Sequence, residues 1–265
     1  MDHAIADRLD AARAMAAEAG ALVMRYFQRD GLSVETKSDG TPVTRADREA
    51  EEFLRDRIRS RYPDDGLVGE EYGEHAGRGA FRWVIDPIDG TKSFARGVPL
   101  FGTLLAVERQ AAGLWRSVVG VVEMPALGET VFAGEGLGAW HVAGGVRRAA
   151  RVSHVGSLRE ALMVHTGPEY TESAGAGSAQ RRLTGACGLV RGWSDCYGLV
   201  LVATGRAEVW FEPSVKPWDI APAPVILHEA GGKFTDWRGD ESAYGGNGLG
   251  TNGLVHADAM ALIRA

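Results

Sequence analysis

Between Ala4 and Gln28, apolar residues recur every three or four positions: Leu9, Ala12, Met15, Ala19, Leu22, Val23 and Phe27. That spacing lines one face of a helix, so the chain is predicted to open on a long amphipathic helix closed by Asp30-Gly31. Lys37 through Thr44 (Lys-Ser-Asp-Gly-Thr-Pro-Val-Thr) is rich in turn formers and reads as a surface loop. Thr44 with Asp47 three residues on reads as a helix start with an acid in the first turn. The helix should reach about Arg61 and bury Ala46, Ala50, Phe53, Leu54 and Ile58. Tyr62-Pro63-Asp64-Asp65-Gly66 is a turn, and Leu67-Val68 a short apolar pair before Gly69-Glu70-Glu71. Phe81-Arg82-Trp83-Val84-Ile85 reads as a buried strand, with a short helix from Thr91.

From Phe101 to Ala143 the pattern becomes β: apolar runs separated by glycine-rich turns. Gly134-Glu135-Gly136-Leu137-Gly138 has the spacing of neither a nucleotide fingerprint nor a Walker loop, so it is expected to be a hairpin turn. Gly144-Gly145, followed by Arg147, Arg148 and Arg151, marks a soft boundary. It divides residues 1–145 from 146–265, which can also be counted as one domain. Beyond it strands and helices alternate. Strands are expected at Ala161–Val164, Gly188–Gly192, Ala207–Phe211 and Lys233–Thr235. Helices are expected from Ser194 to Thr204, from Trp218 to Gly231-Gly232 with an irregular start at Pro222 and Pro224, and at the C-terminus. Thr171 to Gly177 is expected to be a flexible polar loop. The whole is a mixed α/β protein.

Composition narrows the function. Of 265 residues, 45% are hydrophobic and 24% charged, ordinary for a globular protein, and the net charge is −6. An acidic balance argues against a nucleic-acid scaffold and against anionic membrane surfaces. It leaves phosphorylated small molecules open, because bound metal inverts the local field. The two cysteines, Cys187 and Cys196, lack metal-ligand spacing. With no signal-peptide pattern at Met1-Asp2-His3-Ala4 and no bilayer-length apolar run, the expectation is a cytoplasmic protein with reduced thiols and no membrane or nucleic-acid partner.

The chemistry concentrates at Asp86-Pro87-Ile88-Asp89-Gly90-Thr91, at the end of the predicted strand. Two carboxylates three positions apart, a proline that donates no hydrogen bond, a glycine for the turn and a fresh helix start converge there. Carboxylates collect hard divalent cations and helix starts collect phosphate, which together suggest metal-assisted chemistry on a phosphate ester. An acidic turn with an ordinary cap is the plain alternative. Asp47 likewise has a plain role at a helix N-terminus, Glu70-Glu71 one as surface acids, and Lys37 one as a surface lysine.

Four separated pieces then match one family in order. They are Lys37 through Asp47 (K-x-D-x-T-P-V-T-x-A-D), Gly69-Glu70-Glu71, Asp86 through Thr91, and Trp218-Asp219. The sequence resembles the inositol monophosphatase family of metal-dependent, lithium-sensitive phosphatases over essentially its whole length. The resemblance implies a layered α-β-α-β-α sandwich of the inositol monophosphatase/fructose-1,6-bisphosphatase type, with two to three Mg²⁺ per site. It implies Glu70, Asp86 and the Ile88 carbonyl on one ion, Asp86, Asp89 and Asp219 on a second, and Glu70 on a third, weaker one. It also implies attack by a metal-activated water, aided by Glu70 and a Thr91–Asp47 pair, with Lys37 beside the carboxylates and phosphate on the Gly90 and Thr91 amides. Four converging carboxylates without metal would repel, each pair by on the order of 4 kcal/mol at about 4 Å and an effective dielectric of 20. A homodimer follows by family analogy only.

Two stretches depart from the inositol type: Lys92-Ser93-Phe94-Ala95-Arg96-Gly97-Val98-Pro99, and Arg191-Gly192-Trp193-Ser194-Asp195-Cys196-Tyr197-Gly198. They resemble the bacterial histidinol-phosphate phosphatases within the family, which act in histidine biosynthesis. A substrate amine would gain a charge-assisted hydrogen bond from Asp195 or Glu212. Ser93, Arg191 and Asp219 join these as candidate substrate contacts, and Arg191 could contact phosphate. Asp195 can instead be a helix cap and Glu212 a strand-end acid, while Trp193 could line the pocket or, more simply, be a buried tryptophan. A broader inositol- or sugar-phosphate phosphatase is the second reading. A non-catalytic regulatory protein that kept the fold is the third.

Overall fold

Asp2 caps the opening helix, His3–Val23, by accepting from the Ala4 and Ile5 amides. The helix stops short of Gln28: residues 24–28 form turns that bring Phe27 against Phe94 and Phe101, 5.8 and 4.9 Å between ring centres. The computed structural model describes residues 2–29, 31, 33–37, 40–193 and 195–265. Asp30 as a helix stop, Ser38 and Asp39 in the expected loop, and Ser194 as a helix start lie outside these residues. The expected loop is in its described part a hairpin, in which Val34–Thr36 pairs antiparallel with Pro42–Thr44. Pro42 sits at a strand's first residue, where a missing N–H costs least.

The second helix, Arg45–Arg61, starts with a full capping box between Thr44 and Asp47. Ala46, Ala50, Leu54 and Ile58 are buried as expected, while Phe53 is half-buried. Asp47, Glu51 and Arg55 are buried too. Four residues apart, they share one polar stripe that hydrophobic periodicity does not reveal.

Eight strands form the first sheet, in the order Val146–Ala149, Gly138–Ala143, Glu129–Gly134, Leu114–Met124, Gly102–Ala111, Phe81–Asp89, Gly66–Gly69 and Gly73–His75. All neighbours are antiparallel except Gly66–Gly69, which runs parallel to Phe81–Asp89. Gly144-Gly145 is a hairpin turn inside this sheet, so the change of sheet falls after Ala149 and not at 145/146. One apolar cluster also joins Val84, Leu104 and Val122 of the first half to Leu199, Trp210 and Ile226 of the second.

The second sheet orders Leu189–Arg191, Leu162–His165, Val209–Glu212, Gly248–Thr251 and Lys233–Thr235. The first three are parallel; Gly248–Thr251 is antiparallel to both its neighbours. That strand is absent from the sequence reading because two of its four residues are glycine. Packing demands them: a Cβ on Gly250 would lie 2.9 Å from both the Trp210 ring and Leu227. Gly250→Ala is expected to destabilise the protein by about 1–3 kcal/mol, measured by chemical denaturation.

The expected flexible loop at 171–177 is instead largely helical, with Pro168–Ser173 followed by Gly177–Ala186. Ala176, Ala179 and Leu183 bury against Met260 and Ile263 of the C-terminal helix, His256–Arg264, which outweighs their weakly helical, polar neighbours. Five layers result. The first two helices cover one face of the large sheet. Cys196–Ala203 and Ala223–Ala230 lie between the sheets. Gly177–Ala186 and the C-terminal helix cover the small sheet's outer face. This is the predicted α-β-α-β-α sandwich, and no helix among the described residues is long and apolar enough to cross a membrane.

Candidate active site

The central strand Phe81–Asp89 loses register with Gly102–Ala111 between Asp86 and Asp89. Pro87 has no N–H for the ladder, and its carbonyl accepts instead from the Thr103 hydroxyl at 2.9 Å. Gly90 then turns the chain at φ 83°, where a Cβ would meet the Leu100 carbonyl oxygen at 2.8 Å. A short helix, Thr91–Ala95, follows. At five residues it offers local N–H groups and little macrodipole.

Asp219 arrives from the other half of the chain on the single-turn helix Pro217–Ile220. Carboxylate oxygens of Asp86, Asp89 and Asp219 lie within 4.8 Å of one another. A backbone N–H reaches one oxygen of each: Ile88 to Asp86 at 3.0 Å, Lys216 to Asp219 at 2.8 Å, and Cys196 to Asp89. Neutral amides cannot cancel three negative charges. Burial, then the charges of Glu70, Asp89 and Asp219, hold the Asp86 carboxyl well above its ordinary range. Asp89 is raised by burial and by Asp195 and Asp219. Burial pushes Asp219 up to about 7 against the pull of the Lys216 amide, with Glu70 and Asp195 adding to the rise. An all-oxygen, crowded, under-compensated set fits a hard divalent cation.

Glu70 lines the same cleft but stands outside that trio. The Lys37 ammonium holds it at 2.7 Å and Glu71 at 2.5 Å. Burial opposes charge on Lys37, yet these two carboxylates keep its pKa above the ordinary lysine range. Glu71, by contrast, is pushed up to about 7, because burial outweighs its bond to Lys37. Asp47 lies buried beneath. Its Oδ2 accepts from the Thr44 amide and hydroxyl at 2.8 and 2.6 Å, and its Oδ1 faces the Thr91 hydroxyl at 3.2 Å. Thr91 also faces the Ile88 carbonyl at 2.9 Å, so its single proton serves one acceptor at a time. Burial raises Asp47 despite the Thr44 donors.

The cleft, about 600 Å³, extends from these carboxylates past Ser93 to Asp195 and Glu212. Glu212 ends strand Val209–Glu212 and accepts from Trp210 Nε1 at 2.8 Å and from the Thr166 hydroxyl. Asp195 has φ 59° and ψ −153°, a region nearly reserved for glycine, at a cost of about 1–3 kcal/mol. Burial pushes its carboxyl up to about 6, with Lys92 pulling the other way. Arg191 is exposed on an edge strand, donates to the neighbouring Val190 carbonyl at 2.8 Å and does not line the cleft. Trp193, 43% exposed, is neither a buried core residue nor a lining one.

The model of the inositol monophosphatase family matches residues 5–264. The chain belongs to that family. It is 44% identical to a histidinol-phosphatase of Chlorobaculum parvum across 91% of this chain and 90% of that one. It is 38% identical to a histidinol-phosphatase of Streptomyces coelicolor across 96% of each. Among solved structures, the IMPase of Thermotoga maritima superposes with a TM-score of 0.83 at 33% identity, covering 97% of each chain.

For this member of the inositol monophosphatase family, the structure gathers Lys37, Glu70, Asp86, Ile88, Asp89, Gly90, Thr91, Ser93, Asp195, Glu212 and Asp219 on one cleft. Asp47 sits behind Thr91, and Arg191 lies elsewhere. Sequence reasoning did not reach Glu169 and Tyr170, and it gave Lys92 no role of its own within the Lys92–Pro99 stretch; all three also line the cleft, with the Lys92 ammonium 4.2 Å from the Tyr170 ring centre. Glu169 and Tyr170 lie on helix Pro168–Ser173, just before and at the edge of the stretch read as a loop. Pro168 followed by Glu169 is a helix-start signal that could have exposed them.

Proposed function

We propose that this enzyme is a Mg²⁺-dependent phosphomonoesterase that hydrolyses L-histidinol phosphate to L-histidinol and phosphate. The observation that carries the reading is the approach of Asp86, Asp89 and Asp219 to within 4.8 Å on the floor of a substrate-sized cleft. The likeness to histidinol-phosphatases across nearly the whole chain supports the choice of ester. Glu70, Asp86 and the Ile88 carbonyl would hold one ion; Asp86, Asp89 and Asp219 a second; Glu70 a third, more weakly. Bound there, the ions supply Lewis-acid polarisation of the phosphate and a lowered pKa for the attacking water.

The chain's own groups do the rest. Thr91 accepts a hydrogen bond from the attacking water while donating to Asp47 Oδ1. A carboxyl raised by burial is a better proton acceptor than a free one, which suits Asp47 to the end of that relay. Gly90 and Thr91 amides steady the phosphate. Lys37 keeps Glu70 aimed at the cleft. At the far end, Asp195 and Glu212 meet the substrate's cationic amine with charge-assisted bonds. Thr91→Val, which keeps the shape but breaks the relay, is expected to lower kcat about 10²-fold with little change in KM, read from steady-state kinetics.

The deciding experiment is a panel of phosphate esters with saturating Mg²⁺. Histidinol phosphate should give the highest kcat/KM. Much faster turnover of inositol 1-phosphate would favour the second reading, an inositol- or sugar-phosphate phosphatase, which the likeness to the Thermotoga maritima IMPase supports. No turnover of any ester would favour a non-catalytic protein on the same fold. Lithium inhibition, a homodimer and a cytoplasmic location belong to this reading as family expectations, checked by kinetics with LiCl, by light scattering and by cell fractionation.

A further inference from the structure

Glu51 belongs to none of the roles above, yet it is a charged side chain with 0% exposure. It lies one helical turn beyond Asp47 and one before Arg55 on helix Arg45–Arg61. Its Oε2 accepts from the Glu71 amide at 2.7 Å, and its Oε1 from the Tyr72 amide at 3.2 Å and from Arg55 Nε at 2.7 Å. Arg55 in turn donates to the Gly73 carbonyl. The turn after strand Gly66–Gly69 is thus gripped through its backbone from Glu71 to Gly73. That turn presents Glu70 to the cleft. Gly69 completes the fit: a Cβ there would lie 2.0 Å from Glu51 Oε1 and 2.9 Å from Arg55 Nη2.

The same stripe reaches the other acidic turn. Asp47 meets Thr91, three residues from Ile88 and two from Asp89. One face of one helix therefore touches both turns that bring ligand candidates from the first half. We propose that Glu51 is a positioning residue, which sets the Glu70 turn at a fixed height against the Asp86–Thr91 turn and so tunes the site's affinity for Mg²⁺. The physical reason is acceptor geometry. A carboxylate can accept from two adjacent backbone N–H groups and a guanidinium at once, and no neutral side chain of the same length can. In Glu51→Gln one of the two end atoms becomes an N–H₂ donor facing N–H donors, so the turn must move to escape.

This inference rests on the metal-dependent reading given above, and calorimetric Mg²⁺ titration of the chelator-treated enzyme without substrate separates the two. Wild type should bind Mg²⁺, and Glu51→Gln should bind it about tenfold or more weakly, the range seen when groups behind metal ligands are removed. Glu51→Asp keeps a charge for Arg55 but falls short of the Glu71 and Tyr72 amides. It should weaken Mg²⁺ to a similar degree and serves if the glutamine variant does not fold. A variant that lowers the metal-free melting temperature but binds Mg²⁺ within twofold of wild type overturns the inference, since Glu51 would then be a purely structural residue. Wild type that binds no Mg²⁺ overturns the metal-dependent reading itself.

Discussion

Asp86→Asn is expected to cut kcat/KM by about 10³-fold or more while the protein still folds. Asp86 is the carboxylate proposed to hold both main ions. Metal polarisation contributes several kcal/mol to the transition state, and about 4 kcal/mol corresponds to 10³ in rate. Folding should survive because asparagine keeps an oxygen for the Ile88 amide, the contact Asp86 Oδ1 makes at 3.0 Å. It also removes a buried charge crowded by Glu70, Asp89 and Asp219. Steady-state kinetics, with circular dichroism on the same preparation, checks both halves. Activity within tenfold of wild type would contradict the ligand assignment.

In chelator, Asp219→Asn should melt higher than wild type at pH 7.5, and the gap should close by pH 4. Burial, with the charges of Glu70 and Asp195, pushes the Asp219 carboxyl up to about 7 in the fold against an ordinary 3.8. A carboxyl raised in this way favours the folded state fully below 3.8, and that contribution is lost as pH rises through about 7. Asparagine does not titrate, so the difference between the two proteins grows across that window. Because the three carboxylates interact, they lose protons as a group, and the transition should be broad. Saturating Mg²⁺ should reverse the order at pH 7.5. A ligand at a hundred times its Kd adds about 2.7 kcal/mol to the form that binds it, which on the proposed ligand set is the wild type. Scanning calorimetry of both proteins, with and without Mg²⁺, tests this. A wild type indifferent to Mg²⁺ would remove the metal from the account.

Much of the site is legible in the sequence because its chemistry is local. Asp86, Asp89, Gly90 and Thr91 occupy six consecutive positions with Pro87 and Ile88, and the turn they form follows from proline, glycine and a strand end. Thr44 and Asp47 formed the cap that their spacing announced. The layered sandwich was legible through the family resemblance and agreed with helix and strand periodicity. The failures have a shared cause. Gly248–Thr251 lacks an alternating pattern because the Trp210 ring and Leu227 leave no room for side chains at Gly250. The helices at 168–186 carry polar residues whose few apolar neighbours count only once the C-terminal helix lies against them.

By itself, then, the sequence determined the acidic turn, its cap, the major helices and the kind of chemistry that such groups perform. Those follow from forces acting within a few residues. The tertiary structure alone decided that Asp219 carboxylate oxygens stand within 4.8 Å of those of Asp86 across 133 residues of chain, that Arg191 does not line the cleft, and that Glu51 grips the turn bearing Glu70. Such facts depend on how two sheets and their helices settle against one another. Burial energy governs that packing, and it sums over the whole core with no counterpart in the spacing of any single motif.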